Sequence, residues 1–122
     1  MDVNIGAVTL NVLGYREEAG WVALALEMDL RGYGNTFQAA LKELVDLVST
    51  QVEFAHFKGQ PEILWKPAEP VWFERFADAG RERLNALVNQ RDLAGSSYDV
   101  AGLQIRPGQM AGPRSKFSPA EA

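Results

Sequence analysis

Three consecutive pieces decide how this chain folds: Trp21-Val-Ala-Leu-Ala-Leu-Glu-Met28, Asp29-Leu-Arg-Gly-Tyr-Gly-Asn35 and Thr36-Phe-Gln-Ala-Ala-Leu-Lys-Glu-Leu-Val45. The first is apolar except for Glu27 and reads as a buried strand. The second holds two glycines in seven residues, too many for a helix, and reads as a corner with a short third strand at Arg31–Tyr33. Asn35 or Thr36 then caps a helix through its side-chain oxygen. In that helix Phe37, Ala40, Leu41, Leu44, Val48, Val52 and Ala55 recur at the helical period and form one stripe. The helix is expected over Thr36–Phe57, with Lys58-Gly59 as a basic residue and a glycine stop. Because the chain must reverse before Thr36, Gly32 or Gly34 is expected at positive φ.

Upstream, residues 5–16 alternate, with Val8, Leu10 and Val12 on one face and Thr9, Asn11, Leu13 and Tyr15 on the other. Glu17-Glu-Ala-Gly20 is a turn into the second strand, and Gly20 suits a positive φ beside it. In that strand Val22, Leu24, Leu26 and Met28 make a bulky face, expected to pack on the long helix. Trp21, Ala23, Ala25 and Glu27 make a smoother, mostly apolar face that needs another cover.

Downstream, Glu62–Lys66 lies between Pro61 and Pro67 and reads as a short strand at a sheet edge. Pro70 opens a second helix to about Val88, aromatic at its start through Trp72, Phe73 and Phe76. Tyr98–Arg106 reads as a final extended segment. From Pro107 onward Pro, Gly, Ser and Ala dominate and disorder is expected. The fold class is therefore α+β: a small antiparallel sheet (β-β-β-α-β) with one long helix on one face and a C-terminal helical extension. The expected division is a core over 1–66, an extension over 67–106 and a tail over 107–122.

The composition of the 122 residues, 47% hydrophobic and 23% charged, is that of a globular domain. There is no cysteine, which excludes disulfide scaffolds and thiolate metal sites and fits a reducing cytoplasm. A net charge of −4 argues against bulk attraction to nucleic acid and leaves a local basic patch open. No apolar run approaches the roughly 20 residues of a membrane span.

The piece quoted above resembles the core of the HicB antitoxin family. The resemblance rests on Gly20, the run Trp21–Leu26, Asp29-Leu30, Gly32, Gly34, Asn35, Thr36, Ala39 and Ala40, and it extends over Leu10–Trp65, about half the chain. It implies a degenerate ribonuclease H or double-stranded RNA-binding fold. It also implies a homodimer, and a HicA-type ribonuclease toxin as the partner whose catalytic surface is masked. The corner here is shorter than the family's and lacks its prolines. Residues 67–90 read as one long helix, not as the DNA-binding module many members carry.

Chemistry is thinly represented. His56 is the single histidine and is paired with no acid, base or nucleophile, so it reads as an exposed helix residue. Glu27 and Asp29 are too few for a two-metal site, which needs several converging oxygens. Gly32-Tyr-Gly-Asn-Thr36 lacks the spacing of phosphate loops and reads as a helix-entry corner formed by Asp29, Gly32, Gly34, Asn35 and Thr36. Arg75, Arg81 and Arg83 alternate with acids, as on a solvated face. No catalytic residue, metal or cofactor is expected.

Trp21, Trp65, Trp72, Phe73 and Phe76 carry more aromatic area than one exposed helix and strand should show. They are expected at an interface, with a homodimer contact at Glu62–Phe76. The reading is a non-enzymatic HicB-like interaction domain, an antitoxin or an orphaned relative. The alternative is a stand-alone regulatory domain with weak nucleic-acid binding.

Overall fold

The computed structural model describes residues 8–91 and 95–105; the expected tail over 107–122 lies outside them. Strand β1 (Val8–Glu17) turns at Glu18-Ala19 into β2 (Gly20–Ala25), and β3 (Leu30–Gly34) follows. Helix α1 (Phe37–Lys58), a 3₁₀ turn (Pro61–Leu64), helix α2 (Pro70–Val88) and strand β4 (Tyr98–Ile105) complete the order. All neighbouring strands are antiparallel, in the spatial order β3-β2-β1-β4. The fold is α+β, with the long helix on one face of the sheet.

Two expectations about the strands change. Glu62–Lys66 forms no strand: Pro61 starts a 3₁₀ turn, and Trp65 donates its N–H to the Glu62 carbonyl. The fourth strand comes instead from Tyr98–Ile105, which pairs with most of β1, from Val8 opposite Ile105 to Tyr15 opposite Tyr98. The sheet therefore draws a strand from beyond residue 66, where the sequence suggested only an extension.

The faces are also exchanged. Helix α1 packs on the smooth face, where Ala23, Ala25, Leu10 and Val12 form one buried cluster with Phe37, Ala40, Leu44 and Val48. Trp21 belongs there too, its ring centroid 5.8 Å from that of Phe37. The bulky residues Leu24 and Leu26 look the other way, toward Ala68, Trp72 and Phe76. Close packing explains the exchange. A helix presenting Phe37, Leu44 and Val48 fits a floor of alanines and glycines, while bulky strand residues fit a helix whose buried positions are Ala79 and Ala86.

The corner glycines serve this approach and not the reversal. Neither Gly32 nor Gly34 has positive φ, and among the described glycines only Gly59, which ends α1, does. A Cβ on Gly32 would lie 2.4 Å from the Ala40 carbonyl oxygen, and one on Gly34 would lie 2.5 Å from the Ala40 nitrogen. The start of α1 thus rests directly on the β3 backbone. The reversal falls earlier, over residues 26–29, where Asp29 takes φ 52. A short polar side chain tolerates that conformation better than most. In the β1–β2 turn the same part falls to Glu18, at φ 50, and not to Gly20.

Candidate functional site

The residues with chemical potential fall into three groups, and the fold uses two of them for its own construction. The first is the helix-entry corner. Thr36 is the N-cap of α1, and its hydroxyl oxygen accepts the Ala39 N–H at 3.1 Å. Asn35 is exposed beside it. The Tyr33 N–H donates to the Glu43 carboxylate of α1. The Thr36 cap and the Glu43 contact tie the start of α1 to β3, so the corner is a structural joint.

Glu27 is similarly engaged. Its two carboxylate oxygens accept the Asn11 backbone N–H at 2.9 Å and the Asn11 side-chain amide at 2.8 Å. The Leu26 N–H donates to the Asn11 carbonyl at 2.9 Å, and the Ala68 N–H donates to the Leu26 carbonyl at 2.8 Å. The turn 26–29 is thereby tied to β1 on one side and to the approach of α2 on the other. Among the described residues no group of three or more His, Asp or Glu could hold a metal ion.

The second group is a cation–aromatic stack on the α2 side of the sheet. Trp72 stacks on Tyr15 with ring centroids 4.9 Å apart and planes 26° from parallel. Two guanidinium groups lie over the Trp72 ring, Arg31 at 5.4 Å and Arg75 at 5.0 Å. Arg31 donates to the Asp29 carboxylate at 2.9 Å and to the Tyr15 hydroxyl at 3.3 Å. Burial opposes its charge, but the Tyr15 and Asp29 contacts outweigh burial and hold its pKa above the ordinary arginine value. The stack pins the start of α2 to β1 and β3.

The third group is apolar surface that the fold leaves in water. Phe57 is 83% exposed at the end of α1, Phe54 one turn before it is about half exposed, and so is Trp65 after the 3₁₀ turn. On α2, Leu84, Leu87 and Val88 are 59%, 74% and 71% exposed. His56 is exposed on α1 between two of these aromatics. Of the five aromatics expected at an interface, Trp21, Trp72 and Phe76 already have partners within the chain, while Trp65 and Phe73 stay exposed.

Sequence reasoning missed the Asn11–Glu27 clamp and the Tyr15–Trp72–Arg31 stack. Only the alternation that put Leu13 and Tyr15 on one face of β1 hinted at the second. It also missed the exposed apolar end of α2. Among the described residues no helix is long and apolar enough to cross a membrane. No known protein family, curated protein or solved structure matches the chain.

Proposed function

We propose that the chain is a non-enzymatic, HicB-like protein-interaction domain of the cytoplasm, acting as the antitoxin of a toxin–antitoxin pair or as an orphaned relative of one. The observation that carries this reading is the combination of a core covered by helices on both faces with large apolar side chains still in water at Phe57, Trp65, Leu84 and Leu87. Large apolar side chains left in water on a domain whose core is otherwise closed favour protein contacts. The likeness to HicB proteins in the strand, corner and helix adds the class of partner: a small basic ribonuclease of the HicA type. The acidic balance of this chain, −4, favours such a partner electrostatically.

The test is stoichiometric inhibition. The purified chain is mixed with the small basic protein encoded beside its gene, and cleavage of a single-stranded RNA is followed. Loss of cleavage at one chain per toxin supports the reading. Unchanged cleavage, with no complex in size-exclusion chromatography, overturns it.

The exposed Arg75 beside Trp72 favours the second reading, a regulatory domain that binds nucleic acid weakly, since a cation at the surface suits a phosphate backbone. That reading requires oligonucleotide binding that weakens steeply with salt and is lost in Arg75→Ala.

A further inference from the structure

Helix α2 carries two apolar stripes, and its own fold uses only one. Trp72, Phe76, Ala79 and Ala86 are the half-buried or buried residues on the sheet side. Phe73, Ala77, Gly80, Leu84 and Leu87 form a second line, displaced by about a quarter turn at 100° per residue. Their spacing alternates four and three residues, the repeat of a helix-pairing seam. On that line Leu84 and Leu87 are 59% and 74% exposed, and Phe73 is 37% exposed.

Gly80 makes the case sharper. It lies in the middle of a 19-residue helix, where glycine is unfavourable relative to alanine. A Cβ at this position would meet nothing within 4 Å, so packing inside the chain gives no reason for a glycine. Close approach of a second helix backbone does.

We infer that the Phe73–Leu87 line of α2 is the seat of a second copy of this chain, with the two α2 helices antiparallel. Aligned about a two-fold axis between Asp78 and Ala79, Phe73 of one copy meets Leu84 of the other, and Ala77 meets Gly80. The small pair at the centre brings the axes close, and the large pairs close the seam on either side. Charge selects the direction. In the antiparallel arrangement Glu74, flanking the seam, faces Arg81 of the second copy, and symmetry repeats the pair. Among the described residues Arg81 pairs with the exposed Asp78, and its own side chain is largely in water, so its guanidinium has donors to share. A parallel arrangement creates no such attraction, because the flanking partners of Arg81 and Arg83 are then Phe76 and Val88.

This deepens the interaction-domain reading by naming its dimer contact, and extends that contact from the Phe73 end of Glu62–Phe76 along α2 to Leu87. The full-length chain is tested by sedimentation at micromolar concentration and by cysteine cross-linking, which is site-specific because the chain has no cysteine. A dimer is expected, with Leu84→Glu raising its Kd roughly tenfold or more. Leu87→Glu should act similarly, and Phe57→Glu should leave Kd unchanged. Both seam residues are largely in water, so circular dichroism should report an intact fold.

An equimolar mixture of Phe73→Cys and Leu84→Cys proteins should form the mixed disulfide, and Leu84→Cys alone should not dimerise covalently. A monomer, a dimer indifferent to Leu84→Glu and Leu87→Glu, or efficient self-linking of Leu84→Cys would each overturn the inference. Failure to inhibit the toxin alongside a dimer that breaks at Leu84 would count against the antitoxin reading and support the seam.

Discussion

The two faces of the sheet are covered in opposite ways. On one face α1 brings Phe37, Leu44 and Val48 down onto alanines and glycines, and the resulting cluster is nearly free of solvent. On the other, bulky Leu24 and Leu26 meet α2 through Ala68 and two aromatics that remain partly exposed, and cations border the contact. The first contact approaches backbone to backbone and leaves apolar surface chiefly at the outer end of α1, at Phe54 and Phe57. The second is thinner and leaves a flank of α2 in water. The difference shows where stability and association are separated in this chain: the α1–sheet contact holds the fold, and surface for a partner is left along α2 and at the outer end of α1.

The comparison is tested most strongly by truncating one large residue on each side. Leu44→Ala removes a fully buried side chain above the glycine floor and should cost about 2–5 kcal/mol. Phe76→Ala, on the partly exposed side, should cost less despite its greater volume, because less of it leaves water on folding. Urea denaturation of both variants measures this. An equal or larger loss for Phe76→Ala would mean that the α2 contact is as tight as the other.

The glycines offer a second contrast. Gly32→Ala forces a methyl group into the Ala40 carbonyl and should cost about 1–3 kcal/mol by overpacking. Gly80→Ala meets open space and should stabilise the monomeric chain, by up to about 1 kcal/mol. Thermal melts at concentrations too dilute for association would show opposite shifts. A loss of stability in Gly80→Ala under those conditions would remove the case for that glycine as an intermolecular contact.

A smaller effect is expected where the two sides are tied together. Glu27→Gln replaces a carboxylate that accepts two donors from Asn11 with an amide that can offer only one acceptor oxygen. A loss of about 1 kcal/mol is expected, given the partial exposure of the site. Hydrogen exchange should localise it to the Leu26 and Ala68 amides, which share that junction. Uniform loss of protection through α1 would instead make Glu27 a determinant of the main core.

Local signals in the sequence located both helices closely. The Thr36 cap, the stripe from Phe37 to Ala55 and the Gly59 stop bound α1 to within a residue, and Pro70 marked the start of α2. These features act over one helical turn and carry their own physical reasons. The signal at Glu62–Lys66 misled because two flanking prolines suit a 3₁₀ turn as well as an edge strand, and only the surrounding chain chooses between them. The engaged states of Glu27 and Arg31 were not legible either, since their partners Asn11 and Tyr15 lie 16 residues away in both cases.

By itself, then, the order of residues determined both helices, the strands through β3, the caps of α1 and the antiparallel α+β class, because periodicity, glycine and proline act locally. Which face each helix covers, what the corner glycines are for, and the place of Tyr98–Ile105 beside β1 were decided by tertiary packing. A strand with two apolar faces reads the same whichever way it points. The choice is made only when the volumes of Ala23, Ala25 and Gly32 are matched against Phe37 and Leu44, and those of Leu24 and Leu26 against Ala68 and Trp72.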